Sequence, residues 1–190
     1  KSKGNIIVPK EIIDKAGIDS IRLQFCTTDA GNQKRFSFDL IKESVIPFLT
    51  VLYNCNNYYE QLENKKSLIR IEDKWILSRL NSVIEKVTNE LDDYSLSDSF
   101  KEILEFVVKD FSRMYIKMTR DRNDTKKIVG EVLEKISLLL APFAPYISEY
   151  IYRNFSKDSV HLSKWPKTEK KKIDEKLEEE FDAINKIIEA

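Results

Sequence analysis

The chain has 190 residues, enough for one well-filled domain with short appendages, and 34% of them are charged. Its 32 basic and 32 acidic side chains cancel, so no global field draws in a polyanion and any nucleic-acid contact has to be a local patch. Four glycines, two cysteines without CxxC spacing and a single histidine argue against a turn-rich β fold, a disulfide scaffold and a histidine metal cluster.

In chain order, Lys1 to Asn5 reads as a short basic loop containing Gly4. Pro9 then starts a short helix that Gly17 stops. Asp19 opens a second short helix, predicted to bury Ile21, Leu23 or Phe25, and Cys26, and to end at Gly31. From Phe38 to about Glu63 a long helix carries Leu40, Ile41, Val45, Phe48, Leu49, Leu52, Tyr59 and Leu62. Pro47 lies inside it and is expected to kink it, because the ring removes one ladder hydrogen bond. The second half, YNCNNYYEQ, is dense in groups that stack on bases or bond to their edges, and that equally suit a face meeting another domain. Between about Asp73 and Leu91 the spacing of Ile76, Leu80, Val83, Ile84, Val87 and Leu91 predicts an amphipathic helix. Trp75 flanks that stripe, while Arg79 and Lys86 face away from it.

The stretch Ser99 to Arg122 is the one around which the chain is organised. At 3.6 residues per turn, Phe100, Ile103, Leu104, Val107, Phe111, Met114 and Met118 form one stripe. Arg113, Lys117 and Arg120 fall on the opposite side, together with Phe106. Ser99 followed by Glu102 reads as a capping box that starts the helix. The apolar half of this pattern is structural; only the basic half is a candidate for function.

A helix from about Lys126 to Leu140 follows, with Ile128, Val129, Val132, Leu133, Ile136, Leu139 and Leu140 inward. Pro142 stops it, Pro145 starts YISEYIYRNF, and SVHLSKWP reads as an extended strip ending at Pro166. The last 21 residues have helical spacing at Ile173, Leu177, Phe181, Ile184 and Ile188. Charge surrounds that stripe, so this helix is expected to need a partner beyond the present chain. Trp165 is expected to pack on the bundle, and Glu178–Glu180 to form a solvated face. No apolar run approaches the roughly 18 residues of a membrane span, and KSKGN has no apolar core after it. Without an initiator Met the chain is expected to be an excised piece. Cys26 and Cys55 are read as reduced thiols of a cytosolic protein, and His161 as a structural or surface residue.

Three stretches resemble a known family. KSKGN is similar to the end of the KMSKS signature of class I aminoacyl-tRNA synthetases, with Lys1 at its second lysine and Ser2 at its final serine. The continuation GNIIVPKEIIDKAGIDSIRLQF resembles the short helices that follow the signature. DKWILSRLNSVI is similar to the first central helix of the anticodon-binding domain in the isoleucyl, valyl and leucyl branch. LLAPFAPYISEYIYRNF with SVHLSKWP resembles that domain's closing helix and exit strip, and RFSFD and YIKMTRDR look most like the isoleucyl members.

The resemblance implies an all-α fold: an antiparallel helical bundle of the class Ia anticodon-binding type with a small N-terminal helical appendage. Residues 1–35 would be the end of the catalytic-domain loop and its connecting helices, 36–166 the bundle, and 167–190 a tail helix. For a full enzyme it implies activation of isoleucine with ATP and Mg²⁺, then transfer to tRNA. Lys1 and Ser2 would serve the pyrophosphate loop, supported by Lys3, Gly4 and Asn5. These 190 residues alone are expected to be inactive, and to hold neither cofactor nor metal. Expected partners are tRNA and the rest of the synthetase chain, with no membrane and no DNA, in the cytoplasm. Arg113, Lys117, Arg120 and Arg122 are the expected tRNA contacts; Asn54, Asn57, Tyr58, Trp75 and Arg79 are weaker candidates. The same region of a valyl or leucyl enzyme, and a helical protein–protein scaffold without RNA affinity, are the alternatives.

Overall fold

The computed structural model describes residues 8–29, 31–33, 36–66 and 68–189, among which there are helices and connecting segments but no strand. Two short helices come first, α1 (Pro9–Ala16) and α2 (Ile18–Cys26), with Gly17 between them at φ 78°, a conformation that favours a residue without Cβ. Four long helices follow. α3 spans 38–61, α4 is Ile71–Asp92, α5 spans 96–119 and α6 is Lys126–Leu140. α7 (Pro145–Tyr152) and α8 (Glu175–Glu189) close the chain. The strip predicted at SVHLSKWP is a single 3₁₀ turn at Val160–Leu162 and an irregular segment after it.

The core assembles from the stripes that the spacing predicts. Ile76, Leu80, Val83, Ile84 and Val87 of α4 are buried, and so are all seven predicted inward positions of α6. Phe48, Phe100 and Phe143 meet in series, with ring centroids 5.5 and 6.2 Å apart. Each such fully buried side chain contributes about 1.5–3 kcal/mol. α4 and α5 run antiparallel, as three cross-links show. Lys86 meets Glu102, Arg79 meets Asp110, and the Tyr115 hydroxyl donates to Asp73 at 2.6 Å, so the numbers rise on one helix as they fall on the other.

Pro47 is accommodated by a change of winding. Residues Ile41–Val45 are π-wound, with i→i+5 hydrogen bonds, and Pro47 then sits in the first turn of the α-wound stretch Ile46–Gln61, where its missing N–H is least felt. α5 departs further from the prediction, because Phe106–Ile116 is π-wound for eleven residues. Wider turns rotate later positions relative to an α-helix. Tyr115, late in the stretch, is buried, and Met118, expected in the stripe, is 44% exposed; Phe106, where the stretch begins, is buried too. α5 also begins at Leu96, a turn earlier than expected. Ser99 lies inside it and donates to the Ser95 carbonyl, and Glu102 faces α4 instead of closing a capping box.

The appendage is fixed to the corner between α6 and α7. Asp19 accepts from the backbone N–H groups of Tyr146 (3.3 Å) and Ile147 (2.8 Å), and Arg22 donates to the carbonyls of Pro142 and Phe143. Leu23 of α2 is buried as predicted; Phe25 is half exposed and stacks on Phe36.

The tail helix does not wait for an outside partner. Leu177 and Phe181 are buried against the bundle, the Phe181 ring stacking on Trp75 at 4.6 Å. Glu178, expected on a solvated face, accepts from Ser78, from Ser82 (2.8 Å) and from Arg79 (3.2 Å); Glu179 and Glu180 are exposed as expected. Trp165 packs as predicted, its indole N–H donating to Thr88 at 2.9 Å.

Asp110 sits in the same network with a measurable consequence. Burial pushes its carboxyl up to about 6, although Arg79 at 3.1 Å opposes the shift. A carboxyl with a folded pKa above its unfolded value adds stability as it protonates. Stability from this group is therefore gained as pH falls through about 6 and is lost as pH rises. Between pH 7.5 and 5 the protein is expected to gain about 1 kcal/mol from it. Urea unfolding at the two pH values checks this: the gain should shrink in Asp110→Asn.

Candidate nucleic-acid interface

The side of α5 that looks away from the core carries Arg113, Lys117 and Arg120, all exposed. None of the three forms an ion pair or a side-chain hydrogen bond among the described residues. That sets them apart from the other arginines of α4 and α5. Lys117 and Arg120 border a groove of about 400 Å³ between α3 and α5, lined by Asn54, Cys55, Tyr58, Ser112, Ile116, Lys117 and Arg120. Four of the sequence candidates thus come together: Asn54 is exposed at the rim, Tyr58 forms a wall, and the two cations close one side.

The groove has two further chemical features. The Tyr58 hydroxyl is buried and finds no hydrogen-bond partner among the described residues, a state costing about 1–3 kcal/mol unless a ligand or water satisfies it. Burial raises the Cys55 thiol to about 11, partly offset by a hydrogen bond with Ser112, so the floor stays neutral. A cationic rim, a neutral floor and an unsatisfied phenol suit a phosphate with a nearby base or sugar.

Three candidates belong elsewhere. Arg122 is the centre of a salt-bridge hub and is withdrawn from solvent. Its guanidinium donates bidentately to Asp73 (2.9 and 3.0 Å), to Glu72 (2.7 Å) and to Asp124 (3.0 Å). Burial alone would lower its pKa, but the hydrogen bonds with Asp73 and Asp124 hold it above the ordinary guanidinium value. Arg79 is likewise committed, to Asp110, Glu178 and Glu102, against the expectation that it faces away from the bundle. Trp75 is fully buried, so its ring cannot meet a base. Asn57 is half buried, one helical turn beyond Tyr53.

Tyr53 and Tyr150 went unnoticed in the sequence. Each is nearly half exposed, and their rings stack at 5.9 Å across α3 and α7. The i, i+4 relation between Tyr53 and Asn57 was legible; the partner on α7 was not. Lys1, Ser2, Lys3, Gly4 and Asn5 lie outside the described residues. Among the described residues no group of His, Cys, Asp and Glu is arranged to hold a metal, and no helix is long and apolar enough to cross a membrane.

Comparison with known proteins follows the same lines. A family described as "Anticodon-binding domain of tRNA ligase" matches residues 73–190. The isoleucine–tRNA ligase of Pyrococcus abyssi is 36% identical over the whole chain, and that of Clostridium tetani is 33% identical over 99% of it. The chain spans about a fifth of the length of these relatives, 20% and 21% respectively. Among solved structures, the LeuRS of Agrobacterium radiobacter K84, in a ternary complex with tRNA and LeuAMS, superposes with a TM-score of 0.72 at 18% identity. The match covers 92% of this chain and 22% of that one, and it shows the shared helical fold.

Proposed function

This chain belongs to the anticodon-binding domain family of tRNA ligases, and from that premise we propose that the Arg113–Lys117–Arg120 ridge and its groove hold the anticodon arm of a tRNA. In this reading the parent protein is an isoleucine–tRNA ligase, as its curated relatives are named. It would form an isoleucyl-adenylate from ATP, with Mg²⁺, and pass the acyl group to tRNA. The Lys1 ammonium would offset charge on the departing pyrophosphate, with Ser2 beside it in the same loop. The role left to the described residues is holding the nucleic acid.

The observation that carries this is the segregation of charge. Arg79 on α4 and Arg122, three residues past the end of α5, are neutralised by carboxylates. The three ridge cations are left without one, beside the unsatisfied Tyr58 hydroxyl. Leaving them so gains the fold nothing; it suits an external polyanion.

Replacing Arg113, Lys117 and Arg120 together with glutamine is expected to weaken tRNA binding at least tenfold. The slope of log affinity against log salt should become shallower by about one per lost phosphate contact. The unfolding midpoint should stay put, since none of the three holds another residue in place. Unchanged affinity at low salt would leave the protein–protein scaffold as the better reading.

A further inference from the structure

A second groove, of about 990 Å³, opens beside the last turn of α3. Tyr58 lines the ridge groove, and Tyr59, its neighbour about 100° round the helix, lines this one. Lys65 and Lys66 from the segment before α4 line it, with Lys126 and Lys127 on the first turn of α6. Further along α6 come Glu131, Glu134 and Lys135, and Glu131 and Glu169 both accept from Lys172 at 2.9 Å.

The lysine cluster is built to stay open. Lys126 is occupied, donating to the Leu62 carbonyl at 2.6 Å with its ammonium 5.1 Å above the Tyr59 ring, and Lys65 pairs with Glu63. Lys66 and Lys127 are exposed and have no carboxylate partner among the described residues. Two lysines on the first turn of a helix, with no acidic residue there, oppose its own dipole. Lys126 gains its bond to the Leu62 carbonyl, whereas Lys127 gains nothing in the fold, and a rule broken locally without structural gain points to function. Leu68 is held in position, because it donates its N–H to Asp124 and its carbonyl accepts from Arg122. The floor depends on Gly130, where a Cβ would stand 2.9 Å from the Tyr59 ring, so only glycine lets that ring lie down on α6.

We propose that the lysine cluster of this groove is a second backbone site for RNA, in which Lys66 and Lys127 hold phosphates of a strand continuing from the ridge across the last turn of α3. This rests on the ridge being the tRNA surface, and it extends the contact to the opposite flank of one helix. A phosphodiester strand fits better than an acidic peptide for two reasons. Tyr58 and Tyr59, adjacent on α3, line the ridge groove and this one in turn, and Glu131 and Glu169 are already bonded to Lys172, which leaves Lys66 and Lys127 as open charges.

The test uses the full-length protein with two probes, a tRNA(Ile) transcript and a hairpin of its anticodon arm. In Lys66→Gln/Lys127→Gln the dissociation constant for the transcript is expected to rise about five- to tenfold at low salt. The salt slope should become shallower by about two, one per lysine, and Lys66→Arg/Lys127→Arg should restore both. An unchanged constant and slope, with the ridge variant still impaired, would overturn the second site and leave the first standing. If the ridge variant also binds normally, both fall. Weaker binding without a change in slope, or without rescue by arginine, would show that the lysines act through the fold and not on phosphate.

Discussion

Replacing Arg122 with methionine is expected to destabilise the bundle by about 3–5 kcal/mol, the cost of leaving a buried charge without its partner. The charge left behind is that of Asp73, fully buried on the first turn of α4. Arg122 grips both its oxygens, and what remains is the Tyr115 hydroxyl on one and the Arg70 N–H on the other. Two neutral donors do not offset the desolvation of a carboxylate. The loss can be assigned by a double-mutant cycle. Asp73→Asn in the Arg122→Met background should recover part of the stability, since an amide tolerates the site that an unpaired carboxylate does not. Urea unfolding of the single and double variants reads both effects. Because Arg122 also holds the Leu68 carbonyl, weaker tRNA binding in this variant should accompany loosening of the 62–70 segment, and it should track stability instead of salt.

How far the sequence reveals such a residue depends on what surrounds it. Periodicity reports one face of one helix. It placed the buried stripes of α4 and α6 because those helices are α-wound throughout, so Ile76, Leu80, Val83 and Val87 recur at the expected angle. It misplaced Met118, because the π winding of Phe106–Ile116 before it changes the angle per residue and no residue type announces that; Phe106, expected beside Arg113, is buried as well. Polar residues opposite a stripe are assumed to face water, and in α5 this held for Arg113, Lys117 and Arg120. It failed for Arg79, whose outer side meets α5 and α8: its carboxylates lie 31 and 99 residues away, and pairing over such separations depends on helix register. The capping signal failed for a simpler reason. Ser95–Asp98 and Ser99–Glu102 both fit the pattern, and only the path of the preceding turn selects the earlier start.

Trp75→Ala is expected to cost about 3–5 kcal/mol, the range for emptying a buried aromatic site, and to release the tail helix. The indole is fully buried at the start of α4 and is the platform on which Phe181 stacks, with planes 9° apart. Its loss removes the main apolar contact of α8 and leaves Leu177 and the Glu178 bonds to hold fifteen residues. Limited proteolysis should therefore cut near 167–175 in this variant well below its unfolding midpoint. Trp75→Phe separates shape from polarity. The indole N–H has no partner among the described residues, and an unsatisfied buried donor costs about 1–3 kcal/mol, so phenylalanine removes a penalty as well as some packing. That variant should lose less than half of what alanine loses. A tryptophan that stacked on RNA bases would behave in the opposite way, with tRNA affinity falling by about 1–3 kcal/mol per base and the unfolding curve unmoved. Because the ring lies between α4 and α8, affinity measured well below the unfolding midpoint should match the unaltered protein in Trp75→Phe, while only the unfolding curve shifts.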